Sequence, residues 1–225
     1  MFFKYKGIDV EIPDKFLKHH AGVTVESRIH NGTYEADEYK MLKEVVDKDS
    51  VILELGGSVG ILACLTAKLM NNQKNLVVVE AHPYLIPVLK NNMERNSLDF
   101  NIFHGIAHNN NNEIKFNYNE YPLNGHIFGQ GGFGETGETT LPGTTPMDLE
   151  NKYNLRFNTL NCDIEGSEYM LLDTLYDYFS NYKCLIVEFH GWGTYPGVNR
   201  DTIEKKYSNI FNIKRSHSVT QFTKK

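Results

Sequence analysis

The sequence holds no apolar run approaching the ~18–20 residues that a membrane-crossing helix needs. Its first residues, Met1-Phe2-Phe3-Lys4-Tyr5-Lys6, are too short and too interrupted by charge to read as a secretory signal. No block of lysine and arginine occurs either. Basic residues number 23 against 28 acidic ones, a net charge of −5, so nucleic acid is not an expected partner. Cysteine is scarce: Cys64, Cys162 and Cys184 form no C-x-x-C pair, sit in apolar segments and are odd in number. They are expected as buried free thiols in a reducing compartment, which points to the cytoplasm. Internal repeats and low-complexity linkers are absent as well, so nothing divides the chain into large domains.

What is present is 225 residues, 40 % hydrophobic and 23 % charged, enough for one sizeable globular domain. Residues 1–30 read as an N-terminal extension in which Phe2, Tyr5, Ile8, Val10 and Ile12 around Gly7 suggest a hairpin, and residues 31–225 as the main domain. Thr33 is a plausible N-cap for a helix carrying Tyr39, Leu42, Val45 and Val46. Short apolar runs at 51–53, 76–80, 101–107, 157–162 and 184–189 alternate with helical patterns at 61–69, 84–96 and 167–178. Such runs suit parallel strands covered on both faces, hence an α/β fold with a doubly wound, mostly parallel sheet. A further hairpin is expected near 210–213 and 219–222, and a long Gly/Thr/Pro-rich loop over 119–146.

The first strand leads into Glu54-Leu55-Gly56-Gly57-Ser58-Val59-Gly60 and then a helix. Strand, tight glycine turn and helix N-terminus together make a nucleotide- or nucleoside-binding unit. Glu80 closes the second strand, where an acid can hold ribose hydroxyls. The turn is not G-x-G-x-x-G. It carries an acid two residues before Gly56, and a carboxylate there can hold the ammonium of the amino-acid tail of S-adenosylmethionine (SAM), which NAD lacks. Gly129-Gln130-Gly131-Gly132-Phe133-Gly134 does match G-x-G-x-x-G, but follows no strand and opens no helix. It reads as a lid or substrate loop.

Acids also end the later strands, as Asp163 with Glu165 and as Glu188 with His190. Ligands of open α/β sheets bind beyond the carboxyl ends of the strands. With Glu54-Leu55-Gly56-Gly57-Ser58-Val59-Gly60 and Glu80-Ala81-His82-Pro83 followed by Leu89 and Asn92, two later segments complete a pattern. They are Asn161-Cys162-Asp163-Ile164-Glu165-Gly166-Ser167-Glu168 and Val187-Glu188-Phe189-His190. Over residues 30–192 the chain resembles the FkbM family of class I SAM-dependent methyltransferases, which have a Rossmann-like fold. It departs from the family in having Glu54, Gly57 and Ser58 in the first motif, and Ala81-His82 before Pro83.

The resemblance implies O-methylation of a sugar, glycan or small-molecule hydroxyl. Carried over by position, Glu54, Gly56, Ser58 and Gly60 would hold the amino-acid part of SAM, Glu80 the ribose, and Gly105 to Ala107 the adenine side. Tyr34 and Glu35 could fold over the cofactor, while Tyr121, His126 and Trp192 are candidates to read the acceptor. Removing the hydroxyl proton needs a general base or a metal. Asp163, His190 and Glu165 are the catalytic candidates; Asp163, Glu188 and His190 are the alternative ligands for a Mg²⁺- or Mn²⁺-type ion. An NAD(P)-dependent oxidoreductase and a non-catalytic nucleotide-binding domain are the competing readings. The oligomeric state is open, and a homo-oligomer is compatible with the sequence.

Overall fold

A computed structural model describes residues 1–14, 25–118, 126–127, 137–193 and 195–225. Strands β1 (Phe2–Tyr5) and β2 (Ile8–Glu11) form the expected hairpin. Lys6 and Gly7 turn it with φ of 46° and 87°, the doubly positive pair that matches strand twist. Helix α1 (Val25–His30) precedes α2 (Ala36–Val45). Here the structure departs from the sequence expectation. Thr33 does not cap α2; the residue before the helix is Glu35, held left-handed at φ 46°.

The first βαβ unit is β3 (Ile52–Leu55), α3 (Ile61–Leu69) and β4 (Leu76–Glu80), followed by α4 (Leu85–Arg95). The 101–107 run is split at Gly105 into β5 (Asn101–His104) and β6 (Ile106–Ala107). Next come β7 (Glu113–Tyr118), β8 (His126–Ile127) and β9 (Gly137–Thr144). The expected 119–146 loop is therefore shorter, because Gly137–Thr144 pairs along the whole of β7. The Gly129–Gly134 motif, Tyr121 and the side chain of His126 lie outside the described residues.

Helix α5 (Pro146–Tyr153) starts at a reciprocal capping box between Thr145 and Asp148. It leads to β10 (Thr159–Cys162). The single helix expected over 167–178 is two short ones, α6 (Glu168–Thr174) and α7 (Tyr176–Phe179). Strand β11 (Cys184–Glu188) is followed by α8 (Arg200–Tyr207), and the chain closes with the hairpin β12 (Phe211–Ser216) and β13 (Val219–Lys224).

Seven strands form the main sheet in the order β12-β13-β11-β10-β3-β4-β5. All neighbours from β11 to β5 pair in parallel; β13 runs antiparallel to both β11 and β12. Alternate residues feed opposite faces. Ile52 and Val78 join α3, α4 and the N-terminal hairpin in one core, whereas Leu53, Leu55, Val77 and Val79 join α6 and α8 in another. Strand order reverses at β3, whose neighbours are β4 and β10, so the crevice beyond their carboxyl ends is the expected ligand position.

Two asparagines tie the N-terminal hairpin to this frame. Asn92 on α4 accepts from the Glu11 N–H at 2.7 Å and donates to the Glu11 and Val59 carbonyls, and Asn96 does the same for Asp9. The free edge of β2 is thereby satisfied by side chains, and Asn92 also anchors the glycine turn. A second sheet, β6-β9-β7-β8, stands over the crevice with Ile106, Phe116 and Leu141 at its core.

Candidate active site

The turn after β3 is shaped by what passes behind it. Gly56 has φ 88°, and a Cβ there would lie 1.7 Å from the Asp163 carbonyl oxygen, where β10 runs on past its last strand residue. Only glycine fits. Glu80 then staples the turn from the next strand: Oε2 accepts from the Ser58 N–H at 2.7 Å and Oε1 from the His82 N–H at 2.6 Å. Burial pushes the Glu80 carboxyl up to about 7, against the pull of those N–H donors.

A cleft of about 750 Å³, measured to its open mouth, lies over this turn. Its walls include Tyr34, Glu35, Gly56, Ser58, Glu80, His82, Ala107, Asp163 and Glu165, with Ile106, Phe116 and Ile127 on the apolar side. No lysine or arginine is among the described residues that line it. Glu54 lies beneath, 1 % exposed, and Gly60 faces Leu89 instead, where an added Cβ would stand 3.1 Å from Cγ.

The polar atoms here are under-satisfied. Glu35 Oε2, Glu54 Oε2, Ser58 Oγ and Asp163 Oδ1 are buried and make no hydrogen bond. Burial, reinforced by Asp163, pushes Glu54 up to about 8. Burial first, then Glu38, Asp163 and Glu54, hold the Glu35 carboxyl well above the usual range. Three carboxyls from the start of α2, from β3 and from the end of β10 thus share one short-range field, and His190 reaches it only at Asp163, 3.5 Å from Oδ1. A buried, unpaired carboxylate is costly, so such groups hold protons until a cation arrives.

A second cleft of about 1480 Å³ opens on the other side of Tyr34, Glu35, Asp163 and Glu165. Glu38, Glu188, His190, Trp192 and His217 complete its walls. Burial alone would lower the His190 pKa, but the carboxylates of Glu168, Asp163 and Glu165 raise it to about 10. Its Nε2 lies 3.5 Å from Asp163 Oδ1 and 3.6 Å from Glu165 Oε2. Burial and Glu188 push Asp163 up to about 7; burial and Asp163 push Glu165 to about 8. Glu188 has its own hydrogen-bond partner on the same cleft wall. It accepts from Ser218 Oγ at 2.8 Å and lies against buried Glu38, whose pKa burial and Glu188 raise to about 8. Trp192 is 53 % exposed and its ring centroid sits 4.8 Å from that of His190.

No family model matches the sequence. Among solved structures, a methyltransferase from Pyrococcus furiosus superposes with a TM-score of 0.50 at 11 % identity, over 97 % of this chain and 89 % of that one. The fold is a Rossmann-like methyltransferase fold. An rRNA methylase from Streptococcus thermophilus follows at a TM-score of 0.49 and 7 % identity, over 84 % of this chain and 95 % of that one. A MtNAS variant in complex with S-adenosylmethionine is similar at 0.47 and 13 %, over 89 % and 67 %.

Within this methyltransferase fold most of the residues expected from the sequence converge. Gly56, Ser58, Glu80 and Ala107 line the first cleft, Glu188, His190 and Trp192 the second, and Tyr34, Glu35, Asp163 and Glu165 both. Asp163, Glu165 and His190 bring one ligand atom each within 4.8 Å of one another, a donor set for a divalent cation; the set named from sequence had Glu188 in place of Glu165. Sequence reasoning gave no site role to Glu38, Glu168 or His217. Glu38 and Glu168 are buried acids inside helical patterns, and the signal for both was an acid on an otherwise apolar face.

Proposed function

We propose that this chain is a SAM-dependent O-methyltransferase of the FkbM kind, acting on a hydroxyl of a sugar, glycan or related small molecule. The observation that carries the reading is the group of buried carboxyls at the strand-order reversal whose Glu35 Oε2, Glu54 Oε2 and Asp163 Oδ1 lack hydrogen bonds, beside a cleft with no lysine or arginine among the described residues that line it. SAM brings an ammonium and a sulfonium. The pyrophosphate of NAD(P) would meet Glu35, Glu80 and Asp163 with no lysine or arginine among the described lining residues to receive it, so this field disfavours a dinucleotide.

The chain's own groups divide the work. Glu54 and Glu35 answer the ammonium, Glu80 faces the ribose while holding the turn, and Ile106, Ala107, Phe116 and Ile127 surround the base. SAM, when bound, supplies an activated methyl group. Tyr34, Glu35, Asp163 and Glu165 form the wall where the two clefts meet, and an acceptor in the second cleft approaches the first there. Asp163, its carboxyl raised to about 7 and 3.5 Å from His190 Nε2, stands at that wall to take the acceptor's proton, with the His190 imidazolium steadying its charge. Trp192 offers a face on which a sugar ring stacks.

Calorimetry with SAM and NAD⁺ tests the cofactor: binding of NAD⁺ but not SAM refutes the proposal. Labelled SAM with nucleotide sugars, free glycans and rRNA then tests the acceptor. Label in rRNA alone would move the acceptor to nucleic acid. The grouping of Asp163, Glu165 and His190 favours a second reading, in which a Mn²⁺-like ion at these residues acidifies the hydroxyl. Full turnover in EDTA with no retained metal removes it.

A further inference from the structure

Helix α2 and the β1–β2 turn enclose a third groove, of about 970 Å³ measured to its open mouth, lined by Lys6, Ala36, Tyr39, Lys40, Lys43 and Glu44. Lys6 enters it from the turn, where its Nζ donates to the Gly32 carbonyl at 2.9 Å and lies 5.9 Å from the Tyr39 ring centroid. Lys43 Nζ stands 5.6 Å from the same ring. All three lysines are exposed, and none of them is ion-paired among the described residues, whereas Lys74, Lys115, Lys183, Lys206 and Lys214 each hold a carboxylate. Glu44, the one acid among the described lining residues, is already taken. Lys214 Nζ donates to both its oxygens, at 3.0 and 2.8 Å, and Lys40 adds a weaker, longer-range attraction.

Lysines three apart on a helix repel unless an anion lies between them, and Lys6 brings a third charge from another element. The Tyr39 ring shelters two of the ammoniums and neutralises neither. On a chain with a net charge of −5, this concentration of uncompensated positive charge calls for a counter-ion. The neighbouring cleft says what kind. Ala36 lines both this groove and the second cleft, so the two adjoin at the first turn of α2. The second cleft has six carboxyl groups in its described walls against one arginine and two histidines, and receives an anion poorly. The polarity suits a ligand with two ends, a neutral ring in the cleft and an anionic group along α2.

We propose that Lys6, Lys40 and Lys43 form a diphosphate-binding groove, and that the acceptor is a sugar carried on a diphosphate. From Ala36 to Lys43 the helix rises about 10 Å, room for more than one phosphoryl group, and three ammoniums answer a diphosphate better than a single carboxylate. Held there, the diphosphate keeps its charge outside the acidic cleft and directs the sugar inward. The proposal rests on the reading of the second cleft as the acceptor site. It narrows the acceptor from glycans at large to diphosphate-linked sugars.

Calorimetry of the full chain with inorganic pyrophosphate, without SAM, reads the groove directly. Wild type should bind it, and more weakly as salt rises. Lys40→Gln combined with Lys43→Gln should weaken binding about 10-fold or more. Lys90→Gln combined with Lys205→Gln, the same charge change at exposed lysines outside the groove, should stay within about twofold of wild type. In methyl transfer, the KM of a diphosphate-linked sugar should rise about 10-fold in the groove variant, while that of the same sugar without phosphate stays unchanged. Offering one sugar on a nucleoside diphosphate and on a lipid diphosphate in micelles identifies the carrier by the lower KM. No pyrophosphate binding by wild type, or an equal loss in both variant pairs, overturns the proposal, as does RNA bound more tightly than pyrophosphate through the same lysines. If a free sugar is methylated with a KM no higher than its diphosphate, the acceptor reading stands and this proposal fails. If pyrophosphate binds through these lysines yet no sugar of either kind accepts methyl, the acceptor reading is what fails.

Discussion

Binding of SAM should release protons. Glu54 is buried and has its carboxyl pushed up to about 8, so at pH 7 about 0.9 of it is protonated. An ammonium held against it restores the ordinary carboxylate range and expels that proton. For Glu54 alone, the affinity should rise about 25-fold, or about 1.9 kcal/mol, from roughly pH 6 to roughly pH 7.5. Asp163 at about 7 and Glu165 at about 8 add in the same direction. The window stops there because an α-amino group itself loses its proton near ~7.7–8.0. Titration calorimetry in buffers of different ionisation enthalpy reads the proton count from the slope of observed enthalpy. A slope near zero at pH 7, with an affinity flat over that window, refutes the argument. Glu54→Gln should remove close to one proton from the slope and weaken binding more at the upper pH than at the lower.

The same carboxyls make the ligand-free protein less stable as pH rises. The folded chain keeps protons on Glu54, Glu80, Asp163 and Glu165 that the unfolded chain gives up above the ordinary range near ~4.3, so thermal melts should show Tm falling toward pH 8, with a larger gain from SAM at high pH. Gly56→Ala forces a Cβ into the Asp163 carbonyl and should cost about 3 kcal/mol or more in urea unfolding and abolish SAM binding; wild-type stability would contradict the close approach. Trp192→Ala removes a half-exposed ring, so stability should move by less than about 0.5 kcal/mol. Its acceptor KM should rise about 3- to 10-fold with SAM affinity unchanged, and an unchanged KM would remove Trp192 from acceptor binding.

The fold was legible wherever burial on both faces leaves a continuous apolar signature. Leu76–Glu80 is such a strand, and the sequence places its bounds correctly. Gly137–Thr144 is not, because its burial alternates and its Gly and Pro suggest a loop; only the pairing with β7 makes it a strand. Helix α8 carries just Ile203, Glu204 and Tyr207 inward from a polar surface, although the Asn199/Thr202 capping box was a readable start signal. Glu35 defeats cap logic altogether, since its left-handed backbone serves the site rather than the helix. Among functional groups, strand-end acids were legible from position. Glu168 was legible only as the end of the 161–168 pattern; its contact with a histidine 22 residues away was not.

Tyr34, Glu35, Asp163 and Glu165 belong to both clefts, so the two occupants share one wall and one set of protons. Whatever charge enters one side changes the field on the other, and the exchange is reciprocal: the factor by which SAM alters acceptor affinity equals the factor by which the acceptor alters SAM affinity. Tyr5 Oη, donating to the Tyr34 carbonyl at 2.5 Å, extends this coupling to the N-terminal hairpin. Substitutions in that hairpin, far in sequence from either cleft, should therefore be felt as a change in cooperativity between the two ligands before they are felt as a loss of either.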